Sequence, residues 1–386
     1  MKRKQRGQLA ICIISVIMMG MLSGCSDADD LKAQGIDAET EAVVDAESEN
    51  ADGTGENAEG ITIFIDDGSE DIEIEVPQDE PQDEPQVDIT EETPEAEDNK
   101  DVDLIFFMGQ SNMSGCGGDA SMAPPVKDGA GYEFKSVSDP TQLSPIVEPF
   151  GYYESVIGGI CDMYGDKRGS LVSSFVNTYH DLTGNVVVAV SASAGATSTE
   201  DWLTPGFVAD ITARMERTQN YLNNNGYHIK HQYVVWLQGE SDALDRVSGD
   251  VYQSNMDTII RPLFIGGFSK VFVITPGRIK GNANFFNNII DSQLDMCRDS
   301  SYYALASTML CAVNTTYMVD DWHYNQKVLN MLGDQAATAV AYYTNTGSEM
   351  CIYDYKHGMP YIPSNAAADA VTDFGPLDIN QMLSEQ

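Results

Sequence analysis

From residue 102 onward, short apolar runs alternate with longer amphipathic stretches. The runs Val102–Met108, Val186–Val190, Tyr233–Leu237, Val271–Ile274 and Tyr302–Ala306 are continuous and rich in β-branched or aromatic residues. Continuous rather than alternating apolar character suits parallel strands covered on both faces. Between and after them, helical spacing predicts helices at about 169–182, 208–224, 250–263, 285–298 and 325–343. This rhythm predicts a three-layer α/β/α domain over 101–345, with a doubly wound parallel sheet. The Gly- and Pro-rich stretch 114–165 reads as a long insertion near the C-terminal end of the first strand. That end of an open α/β sheet is where ligands bind. Residues 346–386 are left as a tail, packed on the domain or irregular.

Composition changes abruptly before this domain. The net charge of −39 is concentrated: residues 26–103 hold 30 of the 60 acids against Lys32 and Lys100 only. The stretch 26–100 is therefore expected to be an acidic tether, too poor in apolar residues to offset the entropy of ordering. One island, 61–76, alternates Ile61, Ile63, Ile65 and Ile72, Ile74, Val76 around Asp66-Asp67-Gly68, a hairpin pattern. A chain this acidic lacks the basic footprint that nucleic acid requires. At the N-terminus, Lys2, Arg3, Lys4 and Arg6 precede the apolar run Leu9–Met21, which is short for a membrane span and fits a signal segment. It ends in Leu22-Ser23-Gly24-Cys25, which resembles a bacterial lipobox. The resemblance implies lipid on Cys25 and a protein tethered to the extracellular face of the cell membrane. Besides Cys12 and Cys25, five scattered cysteines remain, with no CxxC pair to suggest zinc, and are read as unbridged thiols.

Polar groups gather where the predicted strands end. The first strand breaks at Gly109-Gln110-Ser111-Asn112-Met113, which puts a serine at the head of a helix, where it could attack an ester or simply cap. The second ends in Ser191-Ala192-Ser193-Ala194-Gly195, whose glycine lets backbone N–H approach a ligand. The third runs into Gln238-Gly239-Glu240-Ser241-Asp242, and the Gln238 amide could donate to a developing oxyanion. Before the last helix lies Asp320-Asp321-Trp322-His323, where an aspartate can orient the imidazole for use as a base. Spacing favours Asp320 over Asp321 for that role. His180, His228, His231 and His357 are read as structural or solvated, lacking such a setting.

These blocks, in this order, resemble the sialate O-acetylesterase and acetylxylan esterase group of the SGNH-hydrolase superfamily, over about residues 102–343. The resemblance implies a flavodoxin-like sheet with Ser111 as nucleophile, His323 as base and Asp320 as its orienter. It implies oxyanion donors from Ser111 N–H, Gly195 N–H and the Gln238 side chain. It also implies substrate contacts from Gln110, Asn112 and Glu240, an acetylated carbohydrate as substrate, and no cofactor or metal. A lipid or peptidoglycan esterase of the same fold, or a glycan-binding protein without turnover, would share most of these residues.

Overall fold

The computed structural model describes residues 100–162, 166–367 and 376–386. The expected signal segment, Cys25, the acidic tether before residue 100 and the 61–76 hairpin lie outside the described residues. Nine strands are described: β1 (Asp101–Gly109), β2 (Gly131–Phe134), β3 (Leu143–Pro145), β4 (Val186–Ser193), β5 (His228–Leu237), β6 (Lys270–Ile274), β7 (Tyr303–Ser307), β8 (Ile352–Asp354) and β9 (Met359–Tyr361). The helices are α1 (Ser111–Ser114), α2 (Val172–Thr183), α3 (Thr199–Trp202), α4 (Pro205–Asn224), α5 (Glu240–Leu244), α6 (Gly249–Ile265), α7 (Asn287–Asp299), α8 (Gln326–Thr346) and α9 (Ile379–Glu385).

Seven strands form one sheet in the order β3-β2-β4-β1-β5-β6-β7, and only β3 is antiparallel to its neighbour. The central strand β1 explains the rest of the packing. Ile105 and Phe107 face a core built with Phe175 of α2, Leu329 and Leu332 of α8, and Ile379 and Leu383 of α9. Leu104, Phe106 and Met108 face the opposite core, with Ile211 of α4, Tyr252 and Met256 of α6, and Ile289 and Ile290 of α7. Successive side chains of a strand point to opposite faces, so a stretch covered on both sides reads as a continuous apolar run, as Leu104–Met108 does. Each fully buried Phe or Leu contributes about 1.5–3 kcal/mol by leaving water.

All five predicted strands and all five predicted helices are present, with ends shifted by a few residues. β5 starts at His228, before the predicted Tyr233; His228, Lys230, His231 and Gln232 are polar and exposed or only partly covered, so this part carries no continuous apolar run. One expectation needs correction. The stretch 114–165 is not wholly an insertion, since β2 and β3 lie in it and extend the sheet beyond β4. In the tail, β8 and β9 pair as a hairpin, and α9 buries Ile379 and Leu383 in the core. No disulfide joins the five cysteines of the described residues.

Candidate active site

The site forms where β1 and β5 end side by side. Gly109 closes β1 at φ +140°, and a Cβ there would lie 2.0 Å from Leu237 O. Only glycine lets the two strand ends approach so closely. The next residue ties the same two ends together. Gln110 N donates to Leu237 O at 3.0 Å, and Gln110 Oε1 accepts from the N–H groups of Gly239 and Ser241, each at 3.3 Å. Ser111 then opens α1, so its N–H has no partner within the helix. The hydroxyl is half-buried and makes no hydrogen bond among the described residues.

His323 reaches this corner on the loop before α8. The loop is closed by Val319 N donating to His323 O at 2.9 Å. Asp320 Oδ1 accepts from Trp322 N at 2.8 Å and His323 N at 2.7 Å, while Oδ2 lies 2.7 Å from His323 Nδ1. Burial alone would raise the Asp320 carboxyl. The hydrogen bonds from His323 and the two N–H groups outweigh it and hold the value at about 2. Asp320 is thus an anion throughout the neutral range and leaves His323 Nε2 available. Asp321 takes no part, and its carbonyl accepts from Lys280 N at 3.1 Å. The Trp322 ring lies 6.3 Å from Phe285 and 6.2 Å from Phe286, bracing the loop from another side.

Asn112, the neighbour of Ser111, connects the two motifs. Its Nδ2 donates to Glu240 Oε1 at 2.8 Å and to Trp322 O at 3.2 Å, and its Oδ1 accepts from Tyr324 N at 3.3 Å. Asn112 is 2% exposed, Gln110 3% and Glu240 4%. Their polar groups are largely turned inward onto one another and onto neighbouring loops.

Two expected oxyanion donors are also engaged elsewhere. Gly195 N donates to Asp162 Oδ1 at 2.5 Å. Gly195 is close to the serine, since a Cβ on it would lie 3.7 Å from Ser111 Cβ. Asp162 Oδ2 in turn accepts from Ser114 Oγ at 2.8 Å and pairs with Lys167 Nζ at 3.1 Å, and Lys167 also donates to Ser193 Oγ at 2.8 Å. Gln238 Nε2 uses its hydrogens on Thr197 O and on the buried carboxylate of Asp242, while Oε1 accepts from Tyr252 OH at 3.1 Å. The amide is fully buried, and in this arrangement its hydrogen bonds hold the β5–α5 turn. No sequence motif marked Asp162 or Lys167, which sit in the Gly-rich stretch after β3.

One further correction concerns His357. Asp354-Tyr355-Lys356-His357 repeats the Asp320 arrangement: Asp354 Oδ1 accepts from Lys356 N at 2.8 Å and His357 N at 3.2 Å, and Oδ2 lies 2.7 Å from His357 Nδ1. His357 Nε2 also pairs with Asp291 Oδ1 at 3.3 Å. A cavity of about 510 Å³ opens there between α7 and the β8–β9 hairpin, lined by Asp291, Arg298, Asp354, His357, Met359 and Tyr361 among others. It includes neither Ser111 nor His323, and no serine, threonine or cysteine lines it. Among the described residues, no group of three or more His, Cys, Asp or Glu could hold a metal ion.

A seven-stranded α/β sheet with a serine at the end of its central strand and an Asp–His loop beside it is the scaffold of a carboxylic ester hydrolase. The chain belongs to the carbohydrate esterase family described as sialic acid-specific acetylesterases, whose family model matches residues 101–342. It is accordingly a carbohydrate acetylesterase in class. No curated protein sequence matches the chain. Similar solved structures include a protein from Arabidopsis thaliana, at 20% identity over 64% of this chain and 99% of that one, with a TM-score of 0.48. A carbohydrate acetylesterase from Xanthomonas citri is similar at 17% identity over 62% of this chain and 57% of that one, TM-score 0.41. An acetylxylan esterase from Geobacillus stearothermophilus is similar at 13% identity over 64% of this chain and 95% of that one, TM-score 0.34.

Proposed function

We propose that this protein removes O-acetyl groups from a polysaccharide or sialic acid at the outer face of a bacterial membrane, through an acetyl-enzyme on Ser111. One observation carries the reading. The His323 loop, with its Asp320 partner at 2.7 Å, is hydrogen-bonded on both sides of His323 to Asn112, the residue next to Ser111.

Ser111 Oγ attacks the acetyl carbonyl carbon while His323 Nε2 takes its proton. The carbonyl π pair moves onto oxygen, and Asp320 stabilises the imidazolium. Ser111 N–H is the donor left open for the oxyanion; Gly195 N–H joins it only when Asp162 releases it. The intermediate collapses, the C–O bond to the sugar breaks, and His323 protonates the departing sugar oxygen. Water then attacks the acetyl-enzyme with His323 again as base, and acetate leaves. The lipid-anchored location rests on the segment ending at Cys25 and on the acidic tether that follows it.

Acetate release tests this reading. Purified protein is incubated with acetylated xylan, acetylated mannan and O-acetyl sialosides, beside Ser111→Ala. Release by the parent and background release by the variant are expected, and the active member of the panel names the sugar. A folded parent that releases no acetate from these or from an aryl acetate refutes the reading.

A further inference from the structure

The esterase reading uses Ser111, Asp320 and His323 but gives no part to a buried carboxyl beside them. Glu240 opens α5, is 4% exposed, and places Oε1 2.8 Å from Asn112 Nδ2. Its Oε2 is buried and has no hydrogen-bond partner among the described residues. Asn112 carries the contact onward: the same Nδ2 donates to Trp322 O, and Oδ1 accepts from Tyr324 N, so the amide clasps the backbone on either side of His323. The groups facing Glu240 are Asn112 from α1, His323 and the Tyr324 hydroxyl from the loop before α8, the Tyr252 hydroxyl from α6, and Asp242 on its own helix.

We propose that Asn112 and Glu240 are positioning residues for His323: Glu240 orients the Asn112 amide by accepting its hydrogen bond, and Asn112 fixes the position of the His323 loop. The proposal rests on the esterase reading only for its kinetic consequence. The contrast with His357 supports it. Both histidines have the same local Asp-x-x-His turn, with an aspartate at 2.7 Å from Nδ1. That turn orients an imidazole relative to its own loop and says nothing about where the loop sits. At His323 the missing long-range restraint comes from Asn112, 210 and 212 residues away from its two backbone partners.

The surroundings disfavour the charged form. Burial pushes the Glu240 carboxyl above its ordinary value, and the Asn112 hydrogen bond only partly opposes this. An ionised Glu240 would leave a buried anionic oxygen without a donor, which is costly, and would also rival Asp320 for the imidazolium. A neutral acid keeps Oε1 as an acceptor without adding charge behind the base.

The test compares Glu240→Gln, Glu240→Ala and Asn112→Ala with the parent, by aryl acetate kinetics across pH and by hydrogen exchange. Glutamine preserves the shape and the acceptor. Glu240→Gln is therefore expected to keep kcat within about 3-fold, with the acid limb of the pH–rate profile unmoved. Glu240→Ala and Asn112→Ala are expected to lower kcat by about 100-fold with KM nearly unchanged, as for a base displaced by about 1 Å. Exchange in the 318–324 segment should speed up about 10-fold in both alanine variants and return to the parent rate in Glu240→Gln. The 354–359 segment should be unchanged and serves as the internal control. An alanine variant with parent kinetics and parent exchange overturns the proposal. So does a Glu240→Gln that loses activity as Glu240→Ala does, or shifts the acid limb, since either would show that an acceptor at this position is not what Glu240 supplies. A parent that exchanges as described but hydrolyses nothing refutes the esterase reading and leaves the positioning role standing.

Discussion

Asp320→Asn separates orientation from charge at the centre of the site. Asp320 accepts three hydrogen bonds, one from His323 Nδ1 and two from backbone N–H groups, and its carboxyl is held at about 2 instead of the ordinary 3.8. That difference corresponds to at most about 2.5 kcal/mol of preference for the anion. The side chain is 50% exposed, so solvent screening reduces it to about 1 kcal/mol. The sign is that of a depressed carboxylate: the contribution is complete above the unfolded value near 3.8 and is lost as pH falls through about 2. At neutral pH the variant is therefore expected to lose about 1 kcal/mol of stability, a small change in a urea midpoint. The kinetic loss should be much larger. Asparagine can turn its NH₂ toward Nδ1, which selects the wrong tautomer, and it cannot balance the imidazolium formed in the transition state. A fall in kcat of about 10³–10⁴-fold with little change in KM is expected, measured on an aryl acetate at saturating concentration. Asp321→Asn is the control, since the structure uses only its carbonyl, and should stay within about 2-fold of the parent. An Asp320→Asn within about 10-fold of the parent, or an Asp321→Asn equally damaged, would refute this assignment of the orienting carboxylate.

Other consequences concern the supports of the site. Lys167→Met leaves Asp162 with its charge buried and its cationic partner gone, so unfolding free energy should fall by about 3–5 kcal/mol in urea titration. The Lys167→Met, Asp162→Asn double variant should recover much of that loss, and failure to recover would show the pair is not coupled. Gly109→Ala forces a Cβ to within 2.0 Å of Leu237 O at a φ that L-residues avoid. It is expected to cost more than about 3 kcal/mol in thermal or urea unfolding, and a variant as stable as the parent would contradict the described strand ends.

The sequence pattern made the middle of the sheet legible because the central stretches of β1, β4, β5, β6 and β7 are covered on both faces and are continuously apolar there. The edge was not. Gly131-Tyr132-Glu133-Phe134 and Leu143-Ser144-Pro145 are too short and too mixed to read as strands, and only their pairing with β4 and each other defines them. The site divides in the same way. Residue types and order pointed to Ser111, Asp320 and His323, whose chemistry is local. The direction in which an amide donates is set by distant partners, so the engagement of Gln238 with Thr197 and Asp242, and of Gly195 with Asp162, could not be read from spacing. His357 shows the limit most clearly. An aspartate three residues before a histidine folds into the same turn twice, and long-range contacts, those of Asn112 among them, distinguish the loop that lies beside α1.

Intact mass measured during rapid-quench turnover of an aryl acetate addresses the nucleophile directly. If Ser111 is the nucleophile, the parent gains the mass of one acetyl group, the adduct maps to the peptide containing Ser111, and Ser111→Ala shows neither adduct nor turnover. Turnover that persists in Ser111→Ala, or an acetyl group that maps to another residue, would contradict the covalent role of Ser111.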